Sequence, residues 1–329
     1  MTTPAATGNY SKRPRVLVTH SDTPQVAVDL LRTKCDIIIM STPKPRESEL
    51  LRLIPGVDAV YGKVCIDTKV LDKAGSNLKI ISTPSGGYDH LDLDAIKKRG
   101  IKVAYIPKVL TDSVAEIGVL LLLSAARRIH EGRILLEQGK FEYGFRFQWL
   151  LGHDLRNKTV GVVGLGHIGE RIIRRLKPFE VKTFLYTGHS RKAIGDELAA
   201  EFVSFNELIK RSDFVINCTP LTPETYQLFN ADIFNKMKTT AVFVNIGRGK
   251  SVDTNALTVA LRNKTIFAAG LDVTDPEPLP SNHELFQLPN VVITPHMGCQ
   301  TVETRNEMAI AAAHNVLNGL LGQPLYDEL

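Results

Sequence analysis

Three polar residues in the second half of the chain, Arg248, Glu277 and His296, each follow a β-branched run. Arg248 stands in Val244-Asn-Ile-Gly-Arg-Gly249, Glu277 in Asp275-Pro-Glu-Pro278, and His296 closes Asn290-Val-Val-Ile-Thr-Pro-His. Arg offers a fork of donors that matches a carboxylate. His titrates near neutrality and can pass a proton to a carbonyl oxygen while hydride arrives at the carbonyl carbon. Glu, accepting from the other ring nitrogen, fixes the tautomer and favours the protonated ring. Together they suit reduction of a 2-keto acid. Singly, each reads as readily as structure: a surface charge, a loop residue between prolines, a satisfied core histidine.

A dinucleotide motif shifts that balance toward chemistry. Lys158–Val163 reads as a strand running straight into Gly164-Leu165-Gly166-His167-Ile168-Gly169, and Glu170–Leu176 continues as a helix. In such a G-x-G-x-x-G turn the first glycine makes the tight turn, the second lets backbone approach a pyrophosphate, and the third allows close helix–strand packing. The helix N-terminus adds free N–H donors and a positive dipole end. An NAD site usually carries Asp or Glu about 20 residues further on, against the ribose 2′-hydroxyl. Here the next strand ends Thr187-Gly188-His189-Ser190-Arg191-Lys192, with no carboxylate before Asp196. Arg191 can pair with a 2′-phosphate, so NADPH is the expected cofactor, with NADH as the alternative. A solvated basic loop without selectivity is the structural counter-reading.

The elements that must position these residues alternate along the chain, which implies parallel sheets with crossover helices. One strand series covers Arg15–Val18, Asp36–Met40, Ala59–Tyr61, Lys79–Thr83 and Lys102–Ile106, with amphipathic stretches at Glu47–Leu53 and Leu93–Arg99. A second covers Thr159–Val163, Val181–Thr187, Phe214–Asn217, Ala241–Asn245, Phe267–Val273 and Val291–Thr294. Two α/β domains, each with a doubly wound parallel sheet of Rossmann or flavodoxin-like type and a cleft between them, are therefore expected. In open sheets of this kind ligands bind at the carboxyl ends of strands, where Arg248, Glu277 and His296 fall. Thr111–His130 reads as one long, largely buried helix capped by Thr111 or Asp112, with Glu116 in its first turns. Val302–Leu320 reads as the last helix. The aromatic stretch Phe141–Trp149 fits neither period, and is either a partner surface or a loop folded on its own core.

Composition excludes several classes. The 329 residues suggest two domains, and 43% hydrophobic with 23% charged residues is ordinary globular usage. A net charge of +5 without long runs of one sign gives no support to nucleic-acid or membrane-surface binding. The four cysteines, Cys35, Cys65, Cys218 and Cys299, have neither zinc-ligand nor C-x-x-C spacing, so no metal site is expected. The most apolar stretch, Ile117–Ala126, is too short to span a bilayer. Met1–Arg15 lacks the apolar region of a secretory signal. It reads as a disordered leader rather than a transit peptide, and the C-terminal Asp-Glu-Leu as chance. A soluble cytoplasmic protein is the expectation.

The chain resembles the D-isomer-specific 2-hydroxyacid dehydrogenases from about Arg15 to Leu320. The resemblance rests on Gly164–Gly169, Pro220-Leu-Thr-Pro-Glu-Thr225, Phe243-Val-Asn-Ile-Gly-Arg-Gly249, Gly270-Leu-Asp-Val273, Pro276-Glu-Pro278 and Asn290–Gly298. Asp94-Ala-Ile-Lys-Lys-Arg-Gly100, Leu185-Tyr-Thr-Gly188 and the missing acid after Thr187 are most similar to the animal-type branch that reduces glyoxylate and hydroxypyruvate with NADPH. The resemblance implies catalytic roles for Arg248, Glu277 and His296. It also implies a substrate domain from residues 10–109 and 302–329, with a dinucleotide domain, 110–301, inserted between them.

By the same resemblance, the loop Ser85–His90 meets the substrate carboxylate through Gly86 and Gly87, alongside Arg248 and His296. Thr219, Pro220, Ile246, Asp272 and Gly298 join the glycine motif and Gly188–Arg191 at the cofactor. A homodimer formed through the cofactor domain is implied, with Phe145 and Trp149 able to reach the neighbouring active site. No appended regulatory domain is expected, which argues against a large allosteric phosphoglycerate dehydrogenase. Departures from the family pattern are Gly86 for a usual valine, which should loosen that loop, His167 for the commoner arginine, and Ile173 and Glu180 for usually small residues. Two other functions stay open: a dinucleotide-sensing, corepressor-like regulator on the same scaffold, and an NADH-dependent sister enzyme for a bulkier 2-keto acid.

Overall fold

Short Val/Ile-rich runs bounded by turn residues suit strands buried on both faces, and such strands build parallel sheets covered by helices. The computed structural model describes residues 13–140 and 147–329. Phe145 and the leader up to Lys12 lie outside the described residues. The chain divides into two compact units, one comprising the residues up to Leu110 with Thr301–Leu329, the other Thr111–Gln300.

The first unit holds β1 (Arg15–Val18), α1 (Gln25–Arg32), β2 (Asp36–Ile39), α2 (Glu47–Leu53), β3 (Ala59–Tyr61), α3 (Thr68–Ala74), β4 (Ile80–Ser82), α4 (Leu93–Lys98) and β5 (Lys102–Ala104). All strand pairs are parallel, in the order β2-β1-β3-β4-β5. One face buries Leu17, Val60, Ile81 and Val103 under α2 to α4. The C-terminal helix Val302–Leu320 covers the other: the Tyr61 hydroxyl donates to the Ala309 carbonyl at 3.2 Å and that of Ser82 to Ala312 at 2.9 Å. The edge of β5 is closed by the chain's end, where Leu329 N–H donates to the Val103 carbonyl.

The second unit holds α5 (Thr111–Ala126), α6 (Ile129–Glu137), β6 (Thr159–Val163), α7 (His167–Leu176), β7 (Thr183–Thr187), α8 (Ala193–Glu197), β8 (Ala200–Phe202), α9 (Phe205–Arg211), β9 (Phe214–Asn217), α10 (Ala231–Lys236), β10 (Val242–Asn245), α11 (Thr254–Arg262), β11 (Ala268–Leu271) and β12 (Val291–Ile293). Its seven-stranded parallel sheet runs β12-β11-β10-β9-β6-β7-β8. One face buries Val163, Leu185, Val215, Phe243 and Ala269, and α5 packs on β10, β11 and α7. At roughly 1.5–3 kcal/mol per fully buried large side chain, Phe229, Phe234 and Phe243, all under 2% exposed, anchor this core.

Two features differ from the sequence expectation. The helix expected over Thr111–His130 stops at Ala126, and a separate α6 follows. Arg128 turns left-handed at φ 54°, with its guanidinium on Glu131 at 2.8 Å. The returning chain explains the break, because His153 N–H takes the Ala126 carbonyl that the next helical turn would need. Thr111 is the first helical residue rather than a cap, and the Asp112 carboxylate pairs with Arg175 at 2.8 Å. The short edge strand β8, with only Ala200 buried, also carried too little apolar pattern to be read. Among the described residues no helix is long and apolar enough to cross a membrane, and no group of His, Cys, Asp and Glu could hold a metal ion.

His20, at the carboxyl end of β1, sits 2.8 Å from the Thr19 hydroxyl. Burial chiefly pulls its pKa below the ordinary value; Asp22 opposes this, and Lys63 and Arg305 add to it. His153 is lowered in the same way by burial and by Lys158. A lowered histidine binds its proton more readily in the unfolded chain. Its stabilising contribution is therefore full above the unfolded value of about 6.5, and is lost as pH falls toward the folded one. Urea unfolding midpoints are expected to fall between about pH 7 and pH 5, and His20→Gln should flatten that slope. An unchanged slope in the variant would assign the acid sensitivity elsewhere.

Candidate active site

The parallel order places the ends of β6, β9, β10, β11 and β12 side by side. Every sequence-predicted catalytic residue leaves one of the last three of these strands. Beyond β10, Arg248 is half-buried between two glycines that are sterically obligatory. A Cβ on Gly247 would lie 2.6 Å from the Thr219 carbonyl oxygen, and one on Gly249 would lie 1.9 Å from that of Thr274. The Arg248 carbonyl accepts from Asn245 Nδ2 at 3.0 Å and from the Ser251 hydroxyl at 2.6 Å. Its guanidinium donates to the Gly247 carbonyl at 2.9 Å.

His296 Nδ1 lies 2.6 Å from Glu277 Oε1, both side chains being about two-fifths exposed (40% and 43%). A carboxylate can only accept, so Nδ1–H donates and Nε2 is left to the reacting side. The ring is aimed by an unusual backbone: His296 has φ 50°, and its N–H donates to the carbonyls of Asp272 at 2.8 Å and Thr294 at 3.0 Å. Asp272, 3% exposed at the end of β11, builds this loop. Its Oδ1 accepts from the Thr294 hydroxyl at 2.7 Å and Met297 N–H at 2.8 Å, and its Oδ2 from Gly298 N–H at 2.9 Å. The resemblance implied a cofactor contact for Asp272; the structure directs both its oxygens to the histidine loop.

At the end of β6, Gly164 turns at φ 89° and α7 begins at His167 behind Gly166, whose N-cap position carries no side-chain cap. Residues 119–298 match the family model described as "D-isomer specific 2-hydroxyacid dehydrogenase, NAD binding domain". A human protein named glyoxylate reductase/hydroxypyruvate reductase is 51% identical over 280 residues, which is 83% of this chain and 85% of that one. The chain belongs to the D-isomer-specific 2-hydroxyacid dehydrogenases. Its mouse relative of the same name is 48% identical over 87% of the chain and 88% of its own length. Among solved structures, a Thermus thermophilus protein, TT0316, superposes with a TM-score of 0.88 at 39% identity, covering 96% of this chain and 99% of its own. An NADPH-dependent glyoxylate/hydroxypyruvate reductase from Sinorhizobium meliloti, bound to NADP and malonate, superposes with a TM-score of 0.84 at 29% identity and 97% coverage of both chains.

A dinucleotide is what this family implies, and the turn of the dehydrogenase fits one. The first amides of α7 lack a side-chain cap, and a Cβ added at Gly166 or Gly188 would enter open space. Leu165 is core at 2% exposure and Gly169 is buried, while Gly166 and His167 are exposed and Ile168 half-buried. Thr219 and Ile246 are buried and Pro220 exposed, each just past a strand end. Gly188, His189, Ser190 and Arg191 are exposed beyond β7, and Arg191 pairs with Asp196 at 2.6 Å. Because Gly166 tolerates a side chain in the protein alone, Gly166→Val should leave Tm within about 2 °C while weakening dinucleotide binding at least ~10-fold, by blocking the helix N-terminus. Calorimetry and a melt on one sample check both halves; equal binding would remove the pyrophosphate from this turn.

Gly86 and Gly87 lie in the first unit, half-exposed, with Gly87 N–H donating to the Ser85 hydroxyl at 3.2 Å. The space of the valine usual at Gly86 is taken by Leu110, whose Cδ2 lies 2.7 Å from where a Cβ would sit. Trp149 is half-buried.

The sequence reading missed a buried network behind Arg248. Asn217 Nδ2 donates to Asn245 Oδ1 at 3.0 Å and to the Ser251 hydroxyl at 2.8 Å, while its Oδ1 accepts from the Thr219 hydroxyl at 2.8 Å. All four are under 10% exposed. The available signal was an Asn closing each of two apolar strands, Phe-Val-Ile-Asn and Val-Phe-Val-Asn, which the register pairs as Asn217 with Asn245.

Proposed function

We propose that this dehydrogenase reduces glyoxylate to glycolate and hydroxypyruvate to D-glycerate with NADPH. The observation that carries the chemistry is the His296–Glu277 pair, formed between the segments that follow β12 and β11, with Arg248 just past the end of the adjacent β10. Arg248 holds the substrate carboxylate and draws electron density from the neighbouring carbonyl. His296 gives the proton on Nε2 to the carbonyl oxygen, and Glu277 keeps that proton on Nε2 by holding Nδ1–H. Bound NADPH supplies the hydride that completes the reduction.

The cofactor choice rests on Gly188–Arg191, where the segment itself carries no carboxylate and the exposed Arg191, paired with Asp196 at 2.6 Å, can turn its guanidinium to a 2′-phosphate. The names of the human, mouse and Sinorhizobium relatives support the substrate pair, and the last also supports NADPH. We assign a cytoplasmic homodimer, formed through the second unit. Ile129 and Leu136 are each 59% exposed there and Phe286 46%, and Ile129 and Phe286 line a cavity of about 290 Å³ with His130 and Arg133. Light scattering reads that state directly.

The decisive assay follows loss of reduced-nicotinamide absorbance with each keto acid, comparing NADPH and NADH. A kcat/KM at least ~10-fold higher with NADPH is expected, the worth of one charge-assisted phosphate contact. Preference for NADH would overturn the cofactor assignment and leave the catalytic one. Absence of turnover on protein shown to bind either cofactor would overturn the substrate assignment.

A further inference from the structure

The turn that would meet the 2′-phosphate is held from beneath by a single phenol. Tyr186 lies on β7 with its ring 1% exposed and stacked at a tilt on Phe202 of β8, the centroids 5.3 Å apart. Its hydroxyl leaves the core at the point where the chain enters α8. There it accepts from Lys192 N–H at 2.9 Å and donates to the Lys192 carbonyl at 3.3 Å. One oxygen thus binds both backbone groups of the residue that follows Arg191, whose carbonyl also accepts from Gly195 N–H at 2.9 Å. The fit is close: a Cβ on Gly195 would lie 2.5 Å from the Tyr186 ring and 2.6 Å from its hydroxyl, so α8 rests directly on the phenol.

Gly188, Ser190 and Arg191 are exposed and have no sheet partner, so their conformation depends on what fixes the turn at its two ends. The near end continues β7. The far end is Lys192, and among the contacts that hold it the Tyr186 hydroxyl is the one coming from the core. The Arg191–Asp196 pair is of a different kind: both side chains are more than half exposed (69% and 56%), and such pairs orient weakly and yield to a stronger ligand.

We propose that Tyr186 is a positioning residue for cofactor discrimination. Its hydroxyl presets the turn so that Ser190 and Arg191 meet a 2′-phosphate without first being ordered. This rests on the NADPH reading above. Ordering a loop only on binding weakens affinity, and a preset loop avoids that cost. The advantage belongs only to ligands that touch the turn's tip, which is why the phenol separates two cofactors that differ by one phosphate.

Tyr186→Phe tests this, because the ring and its packing stay. Binding of adenosine 2′,5′-bisphosphate and adenosine 5′-monophosphate is measured by calorimetry on wild type and variant, with amide exchange of residues 188–197 followed without ligand. The variant is expected to bind the bisphosphate about five- to twentyfold more weakly and the monophosphate within about twofold, with faster exchange in the turn. The kcat at saturating NADPH should stay within about twofold, the change falling on KM. Equal weakening of both nucleotides would make Tyr186 merely structural, and unchanged bisphosphate binding or exchange would remove the clamp; either overturns the inference. If wild type itself binds the two nucleotides equally, the NADPH reading fails first, a result visible before any variant is compared.

Discussion

His296→Asn is expected to lower kcat for glyoxylate and hydroxypyruvate by about 10²–10⁴-fold, the usual contribution of a positioned proton donor. Asparagine is the informative replacement because residue 296 sits at φ 50°, a left-handed conformation that Asn tolerates better than most residues. The loop should therefore keep its shape while losing its acid. Dinucleotide binding should stay within about twofold, since the loss belongs to a step after binding. Glu277→Gln supplies the graded comparison. Its amide can still accept from Nδ1–H through oxygen, but the hydrogen bond that aims the ring is no longer charge-assisted, so a loss smaller than that of His296→Asn is expected. Steady-state rates and calorimetry on the two variants check this ordering. Retention of kcat within about tenfold in His296→Asn would show that another group delivers the proton.

The histidine and glutamate were legible because their chemistry lies in residue type, and a strand ending before each told where it would stand. The glycine turn was legible for the same reason: Lys158–Gly169 is a local signal, complete within one strand and one helix start. What escaped were features made by contacts across the sequence. The break after Ala126 depends on His153 returning to take a carbonyl, and nothing within Thr111–His130 announces it. Asn217 and Asn245 are 28 residues apart and meet only through the register of β9 against β10. Arg191 read as a partner for a 2′-phosphate, yet it is paired with Asp196 of the helix that follows, whose presence was not anticipated. Tyr186 fell within the strand expected over Val181–Thr187, and its hydroxyl acquires a task only once Lys192 is brought over it. Local chemistry and strand order were thus readable, whereas polar groups satisfied over long range were not.

Asp272 is where these two kinds of information diverge, and its substitution decides between them. Its place in Gly270-Leu-Asp-Val273 implied a cofactor contact, whereas its three accepted hydrogen bonds belong to the His296 loop. In Asp272→Asn the amide keeps one oxygen for Thr294 and Met297, but sets an NH₂ against the N–H of Gly298. One buried donor is left without an acceptor, which costs about 1–3 kcal/mol of stability. In Asp272→Ala the hydroxyl of Thr294 and the amides of Met297 and Gly298 all lose their acceptor, and a loss of about 3–5 kcal/mol is expected. A loop that holds a non-glycine residue at φ 50° persists only while its surroundings determine it, so His296 should drift from the productive position in both variants. A displacement of about 1 Å at a reacting group costs on the order of 10²-fold. The expected signature is therefore kcat reduced about 10–100-fold in Asp272→Asn and further in Asp272→Ala, with KM for NADPH within about twofold. The reverse pattern, KM for NADPH raised and kcat preserved, would return Asp272 to the cofactor. It would also leave the left-handed turn at His296 to be held by its own backbone bonds to Asp272 and Thr294.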